Sequence, residues 1–298
     1  MGPGGLDILS GIELPASTSE SDRRVAFANW ITRNENPLIA RVAVNRIWQH
    51  HFGKGLLDTP SYFGTVGSKP THPEPLDWLS RECIASGWSV KHLHKLIVTS
   101  AAYRQSNQPE LHALRIDPKS RDLWRYPSRR LDAETIRDSI VSITGVLNLR
   151  MGGPGVIIYG PKGNFDQWKP KAGRDPESWR RMIYLAKMRG ADDGMFKQFD
   201  LPDCGQVRAK RGESTTPLQA LNLFNGSFTI EQSALLAHRL EREAVADLVN
   251  QITLAFELIL SRPPSPSERK ICLSTAEAEG IGTVCRALFN SNEFLLIP

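Results

Sequence analysis

The stretch Asn36–Leu57, NPLIARVAVNRIWQHHFGKGLL, decides the fold class. Pro37 suits the first position of a helix, where its missing N–H would have no intrahelical acceptor, and the Asn36 side chain can cap the amides just inside. Leu38, Val42 and Ile47 or Trp48 then recur at helical spacing and predict a buried stripe. Arg41, Asn45 and Gln49, with their neighbours Arg46 and His50, collect on the opposite side. Gly53 and Gly55 end the pattern, since glycine readily takes the left-handed conformation that closes a helix. The spacing therefore predicts a capped amphipathic helix and its exit turn within a mostly helical domain.

The same signals recur outward along the chain. Ser19 precedes Val25, Phe27, Trp30 and Ile31 at near-helical spacing, predicting a helix over 19–33. Thr71-His72-Pro73-Glu74 has the form of a capping box, with Leu76, Leu79 and Cys83 as the apolar face behind it and Gly87 as the stop. Ser89 can cap a further helix over 90–104, whose Leu93, Leu96, Ile97 and Val98 predict burial on most sides. Asp132 opens a helix with Ile136, Ile140, Ile143 and Leu147 at three- and four-residue intervals. Gly152-Gly153-Pro154-Gly155 breaks the pattern, and β-branched and aromatic clusters predict short strands at 156–159 and 181–185. From Thr216, Pro217 and Gln219 the chain returns to helix, stopping at Asn225-Gly226. Helices over 227–242, 244–260, 266–278 and 283–296 follow, the third behind the Ser265–Glu268 box. The expected architecture is mainly α, a multi-helix globular domain with a small β element near the middle. Residues 1–19, rich in Gly, Pro and Ser, are expected to form a flexible lead-in or fragment boundary. Residues 20–298 then make one mostly helical domain, with 150–215 as the place where two lobes would divide.

Composition narrows the function classes. Of the 298 residues 40% are hydrophobic and 23% charged, enough for a sizeable core. The net charge of +5 is too diffuse for the basic stripe of a nucleic-acid binder, so nucleic acid is not the expected partner. No apolar run reaches membrane-spanning length, and the first residues lack the basic start and apolar core of a signal peptide. The four cysteines, Cys83, Cys204, Cys272 and Cys285, form no C-x-x-C pair and no zinc-type or haem-attachment spacing.

Six separated segments match one pattern in order: NPLIARVAVNRIWQHHFGKGL from Asn36, HPEPLDWLSRECIASGWSVKHLHKLIVTSAAYRQS from His72, RRLDAETIRDSI from Arg129, MGGPG from Met151, TPLQALNLFN from Thr216 and ALFNSNEFL from Ala287. Together they resemble domain of unknown function 1553, from about Asp22 to Ile297. The resemblance implies a bacterial, planctomycete-type domain, commonly the C-terminal part of large exported proteins. Those proteins also carry a cytochrome-c-like domain and a second uncharacterised domain, which are the partners it suggests. It implies an extracytoplasmic setting and a link to electron transfer or polysaccharide use. The C-x-x-C-H haem motif belongs to a part this sequence lacks, so no haem and no other cofactor is expected here.

The candidate chemistry divides into two groups. Arg41, Asn45, Arg46, Gln49, His50, Arg130, Asp132 and Arg137 form a candidate polar centre for docking or ligand recognition. The bland alternative is an ion-pair network, in which Asp132, Glu134 and Asp138 take up Arg129, Arg130 and Arg137. The Trp124-Arg125-Tyr126 series could likewise stack on a sugar or clamp an anion. Asp200, Asp203 and Cys204 place two carboxylates and a thiol on an expected loop, against the simpler reading of a Pro turn with Asp caps. His50 and His51 are adjacent rather than four residues apart, so they are not a helical metal-chelating pair. His94 falls near the apolar set of its helix and is expected to be a half-buried, hydrogen-bonded histidine. No metal site is expected. The leading expectation is an accessory or ligand-binding module; the alternative is a hydrolase-like or redox-linked enzyme acting on acidic or sulfated polysaccharide.

Overall fold

The computed structural model describes residues 11–160, 176–187, 194–202, 208–244 and 247–297. The expected lead-in falls partly on residues 1–10, outside the described residues. The chain divides into two compact units between Pro127 and Ser128.

The first unit is built on α1 (Glu20–Ile31), α2 (Pro37–Phe52), α3 (Pro73–Ala85), α4 (Val90–Thr99) and the short α5 (Leu111–Ile116). The signals at the ends of α2 act as expected: Asn36 Oδ1 accepts from the Leu38 amide at 3.0 Å, and Gly53 closes the helix at φ 75°. Its buried stripe is shifted from the expected one. Ala40, Val44, Asn45, Trp48 and Phe52 are buried, while Leu38 is exposed. The reason is that α2 packs against both α3 and α4, so the face it buries is set by those two neighbours. Leu76, Leu79 and Cys83 of α3 and Leu93 and Ile97 of α4 complete this core. Burial of α4 is one-sided, contrary to expectation, with Val90 and Val98 exposed. The Thr71 capping box does not form either. His72 occupies the cap position, and the Thr71 hydroxyl donates instead to the Leu56 carbonyl at 3.2 Å.

The second unit contains β1 (Arg129–Arg130), α6 (Ala133–Ile143), α7 (Gly194–Gln198), α8 (Pro217–Asn225), α9 (Ser227–Glu243), α10 (Leu248–Leu260), α11 (Pro266–Glu279), α12 (Ile281–Phe289), α13 (Asn292–Leu295) and β2 (Leu296–Ile297). Its core gathers Ile136 and Ile140 of α6, Leu223 of α8, Leu236 and Leu240 of α9, Phe256 of α10 and Phe289 of α12, all almost solvent-free. β1 and β2 pair antiparallel, Arg129 opposite Ile297 and Arg130 opposite Leu296. The fold is thus mainly α with a small β element near the middle. That element lies at Arg129–Arg130 rather than at the two stretches predicted as strands. Residues 182–184 form a 3-10 turn, and Val156 meets Leu185 only through an isolated parallel bridge. In α8 the exposed leucines are Leu218 and Leu221, while Gln219 and Leu223 are buried.

Candidate functional site

Arg130 leaves β1 with its side chain 11% exposed and donates from Nη2 to Asp200 Oδ2 at 2.7 Å. Its guanidinium carbon lies 5.1 Å from the centroid of the Phe199 ring, so the cation sits against an aromatic face. Arg130 Nε and Nη1 are buried with no acceptor among the described residues, an arrangement with a desolvation cost. Asp200 stands just past α7 at φ 60°, a left-handed conformation that Asp adopts more readily than most residues. Its carboxylate also accepts from the Ser214 amide at 2.8 Å and the Ser214 hydroxyl at 2.8 Å. Gln219, in the first turn of α8, closes the arrangement by donating to the carbonyls of Gln198 at 2.8 Å and Ser214 at 2.9 Å.

These contacts fix the ionisation of Asp200. Partial burial pushes its carboxyl up, but the hydrogen bonds from the Ser214 amide and hydroxyl and from Arg130 outweigh burial and hold it below the usual carboxylate range. A carboxylate so held, with both oxygens engaged, is a weak proton acceptor and a firm anchor. Around it, Arg211 Nη1 lies 2.7 Å from Glu134 Oε2 and 3.9 Å from Asp132 Oδ2, while Asp132 Oδ1 caps α6 by accepting from the Thr135 amide at 2.8 Å. RRLDAE from β1 and α6, Phe199-Asp200, and Ser214 to Gln219 are thereby drawn to one place.

Arg137, itself solvent-free, serves a second network. It donates to Asp138 Oδ1 at 2.8 Å and to the carbonyls of Arg180 at 2.8 Å and Ser178 at 2.7 Å. Arg180, also buried, reaches the Arg150 carbonyl at 2.9 Å and stacks 4.0 Å from the Tyr184 ring centroid. The two guanidiniums thus replace backbone partners that the irregular chain around Gly152 and Ser178 cannot supply for itself.

In the first unit Arg41 pairs with Asp77 at 2.7 Å, and Arg46 and His50 are exposed. Gln49 is half-buried. Asn45 is solvent-free: its Oδ1 accepts from the Leu57 amide at 2.8 Å and its Nδ2 donates to the Leu57 carbonyl at 2.9 Å. Gly55 makes room for this pair, because a Cβ there would lie 2.6 Å from both Asn45 Nδ2 and the Leu57 carbonyl oxygen. Arg125 donates to the Ser120 hydroxyl at 3.1 Å and lies 4.9 Å from the Trp124 ring centroid.

Of the expected site residues, Arg130 and Asp200 are brought together directly, with Asp132 joined through Arg211. Arg41, Asn45, Arg46, Gln49 and His50 belong to the first unit, Arg130, Asp132 and Arg137 to the second. Asp203 and Cys204 lie outside the described residues. Ser214, Gln219 and Arg211 were missed as site residues; Gln219 carried a capping signal but nothing pointing to Asp200. His51 and His94, 43 positions apart, were considered separately, yet His51 Nε2 and His94 Nδ1 are 2.7 Å from one another. Among the described residues no group of three or more His, Cys, Asp or Glu gathers as a metal site. No described helix is long and apolar enough to cross a membrane.

The described structure defines a helical protein whose chemistry-bearing side chains are largely engaged in holding its own backbone. A match to the family described as "Protein of unknown function (DUF1553)" spans residues 23–276, and the chain belongs to that family. No curated protein and no solved structure matches the chain.

Proposed function

We propose that this chain is an accessory, ligand-binding module of an exported, planctomycete-type multidomain protein, and that its ligand is an acidic polysaccharide. The observation that carries this reading is the occupation of Asp200. Arg130 and Ser214 together engage both carboxylate oxygens and favour the ionised form. Through Ser214 it anchors the chain just beyond Arg208, Lys210 and Arg211, all three exposed. An exposed basic edge on an anchored segment suits a flexible polyanion better than it suits bond cleavage. Membership of the family supports an extracytoplasmic setting beside a cytochrome-c-like or companion domain, through the architecture that the family resemblance implies.

Affinity electrophoresis of the full chain in gels containing sulfated, uronic-acid or neutral polysaccharide tests the reading. Retardation by the anionic polymers, weakened by salt and by the double variant Arg208→Glu, Lys210→Glu, is expected. Release of reducing ends by the wild type, abolished in Asp200→Asn, would overturn it in favour of an enzyme. Retardation equal in neutral and anionic gels would also overturn it.

A further inference from the structure

We propose that His51 and His94 form a two-imidazole site for a tetragonal divalent cation, copper(II) first, on the surface of the first unit. No single sequence signal marks it. His51 ends α2 and His94 lies on α4, two helices that pack together, and their ring nitrogens Nε2 and Nδ1 face each other at 2.7 Å. In the metal-free pair one ring donates its N–H to the other. For both nitrogens to bind a cation, the donating ring carries that proton on its other nitrogen instead, a tautomer change with no net proton loss.

The neighbours hold one half of the site in place. The His51 ring meets the Tyr103 ring edge-on at 5.5 Å between centroids, and the Tyr126 hydroxyl donates to the His51 carbonyl at 2.7 Å. That carbonyl belongs to the last turn of α2, where backbone acceptors lack helical partners, so Tyr126 fixes the helix end from which the imidazole projects. His94 is exposed, leaving a path for the cation and for the waters that complete its shell.

Geometry and ligand chemistry select the metal. With metal–nitrogen bonds of about 2.0 Å, two imidazoles at a right angle stand about 2.8 Å apart, and two at a tetrahedral angle about 3.3 Å apart. The observed 2.7 Å is close to the first separation and about 0.6 Å short of the second, so the first needs a turn of the two rings toward the cation and the second needs the rings moved apart as well. Structural zinc also wants four protein ligands, and calcium and magnesium want oxygen. Copper(II) accepts two cis imidazoles with water in the remaining positions and heads the affinity order for such donors.

Titration of the full chain with copper(II) in a non-coordinating buffer, followed by calorimetry and by electron paramagnetic resonance, tests the proposal. One saturable equivalent with hyperfine structure from two imidazole nitrogens is expected. His94→Ala should weaken it at least tenfold with an unchanged circular dichroism spectrum, and His50→Ala should leave it intact. Absence of saturable binding, or wild-type affinity in His94→Ala, would overturn the site. Zinc(II) binding as tight as copper(II) would overturn the choice of metal. The variant Asp200→Asn should not alter the titration, so the outcome is independent of the proposed polysaccharide binding.

Discussion

Arg130 and Asp200, 70 positions apart in the chain, meet at 2.7 Å, and Asp200 in turn holds the amide and hydroxyl of Ser214. One carboxylate therefore joins three segments. Asp200→Asn keeps the size and the tolerance for left-handed backbone but removes the charge. Loss of a charge-assisted hydrogen bond of this kind costs about 1.5–3 kcal/mol. A urea midpoint lowered to match, with the slope unchanged, is expected. A midpoint within error of the wild type would show the pair to be ornamental.

The Asn45 amide predicts a pH signature in a variant. Asn45→Ala strands the Leu57 N–H and C=O and should cost about 2–6 kcal/mol, from about 1–3 for each buried unpaired group. Asn45→Asp can keep both bonds only while protonated, donating to the Leu57 carbonyl, so its folded-state pKa must rise above the ordinary Asp value of about 3.9. Stability is then fully present below that value and lost as pH rises toward the folded pKa. Thermal melts of this variant should worsen from about pH 4 upward, while those of Asn45→Ala should parallel the wild type.

At Arg137 the shape of the cation matters as much as its charge. Its guanidinium spans the carbonyls of Ser178 and Arg180 and the carboxylate of Asp138, which a lysine ammonium cannot reach together. Both Arg137→Lys and Arg137→Met should lose about 3 kcal/mol. Near-UV circular dichroism should report it through the nearby, buried Trp179. Full stability in the Lys variant would refute the forked geometry.

The Ser265 capping box gives the acid limb of the stability profile. Hydrogen bonds first from Arg262 and then from the Ser265 amide and hydroxyl hold Glu268 down to about 2, against an ordinary 4.5. A depressed folded pKa contributes stability above the unfolded value and loses it as pH falls through the folded one. Between about pH 4.5 and 2 the wild type should therefore lose more stability than Glu268→Gln, and the two profiles, measured by urea titration at each pH, should converge near pH 2.

Much of the helical framework was legible because its signals are local. Asn36-Pro37 and Gly53 set the ends of α2, and Ser265 and Glu268 set the start of α11, through contacts within a few residues. Burial was less legible, since it depends on what packs against a helix. Asn45 sits on what reads as a polar face, but its partner is Leu57, beyond the helix end. Thr71 carries a capping pattern, yet the Leu56 carbonyl competes for its hydroxyl and wins. The site suffered most. Arg130 and Asp200 were both candidates, but their union with Ser214 and Gln219 rests on long-range contacts that no spacing encodes. Strand propensity at 156–159 misled for the opposite reason, being real locally but yielding isolated bridges such as Val156 with Leu185 in place of a strand.

The pairing of Arg130 with Leu296 has a consequence for biosynthesis. A ribosome delivers β1 at the start of the second unit and β2 at its end, so the strand that completes the ladder beside Arg130 is the last part of the unit to emerge. Until then β1 lacks its strand partner, however many of the helices have formed. This pairing is thus one of large sequence separation, formed late, and chains stalled shortly before Leu296 should be cut more readily beside β1 than the finished chain.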